Sequence, residues 1–168
     1  MTLERIEHEL EPFYKKNSKI LILGSFPSPK SRESKFYYGH PQNRFWKVLA
    51  AVFNDIVPKS IPEKKFFLAK WKIALWDVIA SCNIQGASDA SIKNVLYNDI
   101  HFILSKTSIN LIVTTGKKAD SLFKKRWVQD NCIQNIVYLN LPSTSSANAS
   151  MSLEQLIQSY KLIANYIN

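Results

Sequence analysis

The stretch Lys19-Ile-Leu-Ile-Leu-Gly24 decides the fold of this chain, because it is a continuous apolar run that ends in glycine. Such a run is typical of a β-strand buried on both faces, as in a parallel sheet that is covered by helices. Residues 110–116, Asn-Leu-Ile-Val-Thr-Thr-Gly, repeat the pattern. We therefore expect both runs to be strands of one buried sheet.

Outward from these runs, strands alternate with helices. Residues 73–79 and 135–141 have the pattern of two further strands, and helices are expected at residues 3–14, 43–53, 63–71, 117–127 and 152–167. One broken helix or two short ones are expected within residues 88–105. The alternation predicts an α/β fold, a single domain over residues 1–168 with three αβα layers and a central, mainly parallel four-stranded sheet.

The composition of the chain limits the partners and cofactors that we expect it to have. Lys and Arg number 22 against 13 for Asp and Glu, and the formal net charge is +9. This excess attracts polyanions such as nucleic acid, although solvated surface lysines produce it too. The two cysteines, Cys82 and Cys132, lack metal-binding spacing, so no metal or cofactor is expected. No apolar run reaches the ~20 residues of a membrane span and the N-terminus has no signal core, so we expect a cytoplasmic monomer without a membrane partner.

In a parallel sheet, ligands bind at the carboxyl ends of the strands. The first such end carries Gly24-Ser-Phe-Pro-Ser28 and then Tyr37-Tyr-Gly-His-Pro-Gln-Asn-Arg-Phe-Trp46, with residues 25–42 expected to be a loop. Its backbone amides can hold an oxyanion or a phosphate, and its aromatic rings can stack on a base. An ordered loop whose aromatic side chains pack on one another is the alternative.

Three other features are candidates for a site. Leu141-Pro-Ser-Thr-Ser-Ser-Ala-Asn148 follows the last strand and suits contact with a sugar–phosphate backbone, although such residues are also common in ordinary loops. Asp77 lies in an apolar strand, where a carboxylate must be paired or face a site. The helix that begins at Lys117 is basic and either follows phosphates or forms a solvated face. No phosphate-binding glycine loop is present, which disfavours a nucleotide-processing enzyme.

Taken in order, these segments resemble the uracil-DNA glycosylase superfamily over residues 19–150. Asn43-Arg-Phe-Trp-Lys47 is similar to a segment of the mismatch-specific uracil and thymine glycosylases. Gly24-Ser-Phe-Pro-Ser28 together with Tyr37-Tyr-Gly-His-Pro-Gln-Asn-Arg-Phe-Trp46 looks most like the hypoxanthine-DNA (deoxyinosine) glycosylase branch. The resemblance implies a monofunctional base-excision repair enzyme that acts on double-stranded DNA containing a damaged or mismatched base.

The resemblance also implies roles for individual residues. Asn43 would position the attacking water, although Asn before a helix is an ordinary N-cap. The other implied catalytic residues are Ser28 and His40. The implied base-binding residues are Phe26, Ser25, Asp77 and Tyr38. The implied DNA-binding residues are Ser143, Ser145, Ala147, Asn148 and Lys117.

Two departures shift the expected substrate. Phe26 stands where the uracil enzymes of the superfamily have Asp and the mismatch enzymes have Asn, and Leu141 stands where the uracil enzymes have His. The expected base is therefore hypoxanthine, a deaminated purine, with no strand-cleaving lyase step. Two alternatives are kept: a mismatch-specific uracil/thymine glycosylase, and a non-catalytic DNA-binding module with the same fold.

Overall fold

Residues 2–168 are the part of the chain that the computed structural model describes, and they form two β-sheets with flanking helices. The strands are β1 (Glu4–Glu7), β2 (Ile20–Gly24), β3 (Ile73–Asp77), β4 (Ile79–Ile84), β5 (Lys93–Tyr97), β6 (Leu111–Thr115) and β7 (Val137–Leu141). The α-helices are α1 (Pro29–Ser34), α2 (Phe45–Val52), α3 (Ile61–Lys70), α4 (His101–Leu104), α5 (Gly116–Trp127) and α6 (Leu153–Tyr160). Short 3₁₀ helices span Asp89–Ser91, Asn131–Ile133 and Lys161–Tyr166.

The central sheet has the order β3-β2-β6-β7, and all its neighbours are parallel. Its strands are apolar on both faces because both faces are covered. Ile20 and Ile22 pack with the layer of α2, α3 and α6, whereas Leu21 and Leu23 pack with the layer of α4 and α5. The expected three-layer αβα fold with a parallel four-stranded sheet is confirmed.

A second, antiparallel sheet of order β1-β4-β5 lies beside the first and was not expected from the sequence. Val78 alone separates β3 from β4, so residues 73–79 belong to two sheets rather than to one strand. The buried Asn98 side chain donates hydrogen bonds to the carbonyls of Asp77 and Ile79, at 2.9 and 3.1 Å. These bonds satisfy the backbone where the chain passes between the sheets.

The expected helix at residues 3–14 is wrong, because these residues contain β1, which pairs with the distant strand β4, and an extended segment in which the Phe13 N–H donates to the Leu75 carbonyl at 2.9 Å. Residues 88–105, expected to be one broken helix or two short ones, contain a 3₁₀ turn and the short helix α4, but β5 lies between them and was missed. β5 pairs with the preceding strand β4. The apolar pattern of residues 3–14 is satisfied by partners far away in sequence, which local periodicity does not reveal.

The remaining helices follow their sequence signals more closely. The expected loop at residues 25–42 contains α1, which begins at Pro29 after the Ser28 N-cap. The capping box of Ser152 and Gln155 opens α6, which continues as a 3₁₀ helix beyond Tyr160. The expected helices at 43–53, 63–71 and 117–127 correspond to α2, α3 and α5 within two residues at each end.

Within residues 2–168, no helix has the length and apolarity to cross a bilayer.

Candidate active site

A cavity of about 150 Å³ lies at the carboxyl ends of the central strands. It is smaller than the ~300–1,000 Å³ of pockets that take drug-sized ligands, and it suits a single small ring system. Eight of the residues expected at the site line it: Ser25, Phe26, Ser28, Tyr38, Asn43, Asp77, Ser143 and Ser145. The structure therefore brings the first loop, the end of β3 and the last loop together.

Asp77 forms the buried floor of this pocket and is paired with His8. The Nε2 atom of His8 lies 2.8 Å from Oδ2 of Asp77, and the two side chains are only 2% and 5% exposed. A buried carboxylate requires such a partner, because an unpaired buried charge is strongly unfavourable. The pairing occupies one carboxylate oxygen and leaves Oδ1 beside Gly24.

Gly24 ends β2 directly beneath this carboxylate. A Cβ atom built on Gly24 would lie 2.6 Å from Oδ1 of Asp77 and 3.3 Å from the Tyr38 hydroxyl oxygen. Glycine is thus required by close approach, and not by its backbone angles, since Gly24 lies outside the positive-φ region that only Gly86 and Gly116 occupy among the glycines of residues 2–168. The missing side chain makes room for the carboxylate and the phenol to reach the pocket.

Tyr38 places a buried hydroxyl in the same wall. Its ring stacks on Phe45 with centroids 3.7 Å apart, and its hydroxyl oxygen makes no hydrogen bond of standard geometry with any residue in the described chain. Burial, and then the Asp77 charge, raise the pKa of Tyr38 well above its usual range, while the nearby Thr115 side chain lowers it. The hydroxyl stays protonated and can donate a hydrogen bond to a ligand in the pocket.

Asn43 has its amide orientation fixed by its neighbours. Oδ1 accepts hydrogen bonds from the Phe45 backbone N–H at 2.9 Å and from the Thr144 hydroxyl at 2.8 Å. Because a backbone N–H can only donate, the atom that it contacts must be the amide oxygen. Both lone pairs of Oδ1 are occupied, so the group that Asn43 has left to offer is its NH₂. The N-cap of α2 is Arg44 rather than the expected Asn43, and the Asn43 side chain binds the Phe45 N–H from the preceding position while it also lines the pocket.

Arg44 joins the first loop to the last one. Nη2 of Arg44 donates to the carbonyls of Ser145 and Asn148 at 2.9 and 3.1 Å, and Nη1 donates to the Met151 carbonyl. The Arg44 backbone N–H also donates to the Thr144 carbonyl at 3.1 Å. The guanidinium is thus engaged by backbone carbonyls of the last loop, and its role is to hold that loop against α2.

Phe26 and Ser28 lie on the opposite wall. Phe26 packs in a small core cluster with Cys82 and Ile84, and the Arg32 guanidinium lies 5.8 Å from the centre of its ring. The Ser28 hydroxyl accepts a hydrogen bond from the Ser31 N–H at 3.1 Å and so caps α1. Ser28 therefore has a structural function beside the catalytic one that the sequence predicts.

Four expected site residues do not line the pocket. Nδ1 of His40 accepts a hydrogen bond from the Gln42 backbone N–H at 3.1 Å. The exposed Ala147 lies at the tip of the last loop, and Asn148 braces this loop by donating to the Ser143 carbonyl at 3.0 Å. Lys117 is exposed on the first turn of α5. All four lie outside the cavity.

Two ionisable residues of the site were missed by the sequence reading. His8 was assigned to a helix, and Asp89 to another, so neither was connected with Asp77 or Ser25. Asp89 lines the pocket, and its Oδ1 accepts a hydrogen bond from the Ser25 hydroxyl at 3.0 Å. A lone acidic residue in a polar segment gives no sequence signal, because only the second sheet brings it to the pocket.

A cluster of possible metal ligands lies elsewhere, although no metal was expected. Ligand atoms of His101, Asp130 and Cys132 lie within 4.8 Å of one another. The ring nitrogens of His101 lie 2.9 Å from Asp99 and 3.1 Å from Asp130, an arrangement that an ion-pair network between α4 and the segment after α5 explains. Burial, and then the hydrogen bond to Asp130, raise the pKa of Cys132 to about 12, so its thiol is protonated in this network.

The chain matches a family of known proteins. Residues 11–165 match the family model described as the uracil DNA glycosylase superfamily. The solution NMR structure of a candidate uracil DNA glycosylase from Methanosarcina acetivorans superposes with a TM-score of 0.77 and 26% identity, covering 94% of this chain and 96% of that one. The chain belongs to the uracil DNA glycosylase superfamily.

Curated relatives narrow the class further. A hypoxanthine DNA glycosylase from Methanosarcina barkeri (strain Fusaro) is 33% identical over 110 residues, which are 64% of this chain and 70% of the relative. A protein of the same name from Methanosarcina acetivorans is 31% identical over 140 residues, 81% of this chain and 84% of the relative. This chain is therefore a DNA glycosylase, a hydrolase of DNA repair, and the alternative of a non-catalytic binding module is set aside.

Proposed function

We propose that this glycosylase releases hypoxanthine from deoxyinosine in double-stranded DNA. The observation that carries the proposal is the pairing of Asp77 with His8, which leaves one carboxylate oxygen at the floor of the pocket. An ionised carboxylate only accepts hydrogen bonds. Hypoxanthine has an N1–H donor, whereas adenine presents the lone pair of N1 at the same place. A carboxylate floor thus favours the deaminated base over its parent.

The cost of extracting the base favours the same substrate. A base must leave the duplex before it reaches a buried floor, and this costs a few kcal/mol, least at a mispair or lesion. Guanine also has an N1–H, but it is held in a full pair with cytosine and is expensive to flip. Hypoxanthine opposite thymine combines the N1–H donor with a weak pair. The names of the two curated relatives support this choice.

The neutral groups of the pocket suit the chemical step. Cleavage of the glycosidic bond leaves a base carrying negative charge and a sugar with oxocarbenium character, so donors near the base lower the barrier. The Tyr38 hydroxyl and the Asn43 NH₂ are two of the donors that line the pocket. We assign Asn43 the positioning of the attacking water, by donation to its oxygen. The pocket lining within residues 2–168 contains no lysine, so the proposed reaction is hydrolysis without a lyase step.

The backbone contacts follow from the same loops. Ser143 and Ser145 line the edge of the cavity, and their hydroxyls are proposed to hold the phosphates that flank the flipped nucleotide. Ala147 and Asn148 are proposed to occupy the gap in the base stack. Because one chain supplies the whole cavity, we propose that the enzyme acts as a monomer.

Uracil is the main competitor, because its N3–H is also a donor for Asp77. The deciding experiment uses four duplexes, each with one hypoxanthine, uracil, xanthine or mismatched thymine, followed by alkaline cleavage of abasic sites. Release is expected to be fastest from the hypoxanthine duplex. Faster release of uracil would favour the alternative of a mismatch-specific uracil/thymine glycosylase. The absence of abasic product from all four duplexes would refute the proposal.

A further inference from the structure

Asp89 lies at the mouth of the pocket, on the 3₁₀ helix Asp89–Ser91 that follows β4. Its Oδ1 accepts the hydrogen bond from Ser25, and its Oδ2 makes no hydrogen bond with another residue of the described chain. Ser25 directly precedes Phe26, and both residues line the cavity. The carboxylate of Asp89 thus reaches the neighbourhood of these residues from another element of the fold.

The other strong acceptors of the pocket are hydrogen-bonded or lie at its buried floor. Oδ1 of Asn43 accepts two hydrogen bonds, from Phe45 and Thr144. Oδ2 of Asp77 contacts His8, and its Oδ1 lies over Gly24 at the buried floor, where the base ring is proposed to bind. Among the carboxylates that line the cavity, Asp89 is therefore the one with an open oxygen near the entrance, where the sugar of a flipped nucleotide remains.

The surroundings of Asp89 suit a proton acceptor. Asp89 is exposed at the surface, but desolvation by the surrounding pocket wall, and then the charge of Asp77 on β3, raise its pKa, whereas the Ser25 hydrogen bond and Lys118 on α5 lower it, with a net rise above the usual value. Cys82 on β4 also lies within electrostatic range. A carboxylate with a raised pKa is a better base than an ordinary one, and it still carries the charge that opposes an oxocarbenium ion.

We infer that Asp89 is a catalytic residue, the general base for water and the counter-charge for the sugar. The water oxygen forms a bond to C1′ while the glycosidic bond breaks, and the bonding electron pair leaves on the base nitrogen. The proton released by the water passes to the Asp89 carboxylate and later to solvent or to the departed base. Ser25 acts as a positioning residue that orients this carboxylate. The inference rests on the proposed glycosylase function.

The test compares Asp89→Asn with the matched control Asp99→Asn, which changes an exposed carboxylate that does not line the cavity. Single-turnover release of hypoxanthine and duplex affinity are measured across pH. Asp89→Asn is expected to slow release about 100-fold and to abolish the fall in rate at low pH, because that fall reflects protonation of the base. Affinity is expected to stay equal or to rise, since a negative charge is removed near DNA phosphates. Asp99→Asn is expected to match wild type.

A second variant separates chemistry from structure. Asp89→Ala is expected to regain activity when formate is added, because a small carboxylate can occupy the vacated space, whereas loss through altered loop structure would not be rescued. Full activity of Asp89→Asn with an unchanged pH profile would overturn the inference while leaving the glycosylase function intact. A wild-type protein that released none of the four bases would overturn both. Weaker DNA binding with an unchanged rate of release would also overturn it.

Discussion

The two sheets contribute different chemistry to the same pocket. The parallel sheet ends in loops whose pocket groups are neutral: hydroxyls, an amide and aromatic rings. The antiparallel sheet brings His8, which follows β1, and Asp89, which follows β4. Asp77 ends the strand that leads from one sheet into the other and is paired with a residue of the second. The large sheet shapes the cavity and carries Asp77 at the end of β3, whereas the small sheet brings His8 against Asp77 and Asp89 to the cavity.

The largest effect on the rate of base release is expected for Asn43, one of the neutral residues of the pocket. Asn43→Ala removes the NH₂ that faces the pocket and should slow base release about 1,000-fold, which corresponds to about 4 kcal/mol of transition-state free energy. DNA affinity should change little, as measured by fluorescence anisotropy with the same duplex. The lost hydrogen bond from the Phe45 N–H costs about 1 kcal/mol of folding stability, so both proteins are assayed well below their melting temperatures.

Thr144→Val serves as the control for Asn43. It removes one of the two donors to Oδ1 but leaves the amide in place, so its loss of rate should be much smaller. A rate for Asn43→Ala equal to that of wild type, in a folded protein, would remove Asn43 from the mechanism.

The pairing of the Asp77 carboxylate with His8 is tested by His8→Ala. Asp77 would then be a buried carboxylate without a partner, and the free energy of unfolding should fall by about 3 kcal/mol. Urea denaturation measures the change. In the double variant His8→Ala/Asp77→Ala the stability should recover in part, because no charge is left unpaired. Equal stability of the single and double variants would show that His8 does not stabilise the Asp77 charge.

The close approach of β2 to the Asp77 carboxylate is tested by Gly24→Ala. The new methyl carbon would lie 2.6 Å from Oδ1 of Asp77, and relief of this overlap should cost about 2 kcal/mol of stability. In an Asp77→Ala background the same substitution should cost much less, because the obstructing oxygen is gone. An equal cost in both backgrounds would locate the strain elsewhere than at the carboxylate.

The smallest effect is expected on the outer surface. Lys117→Ala removes one exposed cation at the start of α5 and should weaken DNA binding only slightly, with the slope of log affinity against log salt reduced by about 1. Lys124, further along the same helix, is already paired with Asp120 at 3.2 Å. Lys124→Ala is therefore the matched control and should leave the slope unchanged; identical slopes for both variants would exclude Lys117 from the DNA interface.

The sequence predicts the parallel sheet well because its strands are local apolar runs such as Ile20–Gly24. It also predicts most of the loop residues of the pocket, since the carboxyl ends of parallel strands meet at one edge. It fails for β1, whose pairing partner β4 is distant in sequence, and for β5, whose pairing with the preceding strand β4 is irregular, with register shifts near Ser81. The same failure hid His8 and Asp89, because a residue whose element is wrongly assigned cannot be placed in a site.

A different kind of information was missing for Asn43 and Arg44. The sequence motif assigned a role to Asn43 and none to Arg44, and it did not distinguish a residue with a free group in the cavity from one that braces a loop. That distinction depends on which donors and acceptors are already satisfied, and this is a property of the folded loops rather than of the residue types. The basic character of Arg44 would otherwise have suggested phosphate binding.

The bonds of Arg44 also bear on how the enzyme leaves its product. The last loop cannot lift away from α2 without breaking the contacts of Arg44 with Ser145, Asn148 and Met151. The same movement withdraws the Thr144 hydroxyl from Asn43, whose Oδ1 then keeps only the hydrogen bond from the Phe45 N–H. Since Asn43 is proposed to position the water, we expect that loosening this loop would speed product release only with a loss in the bond-breaking step.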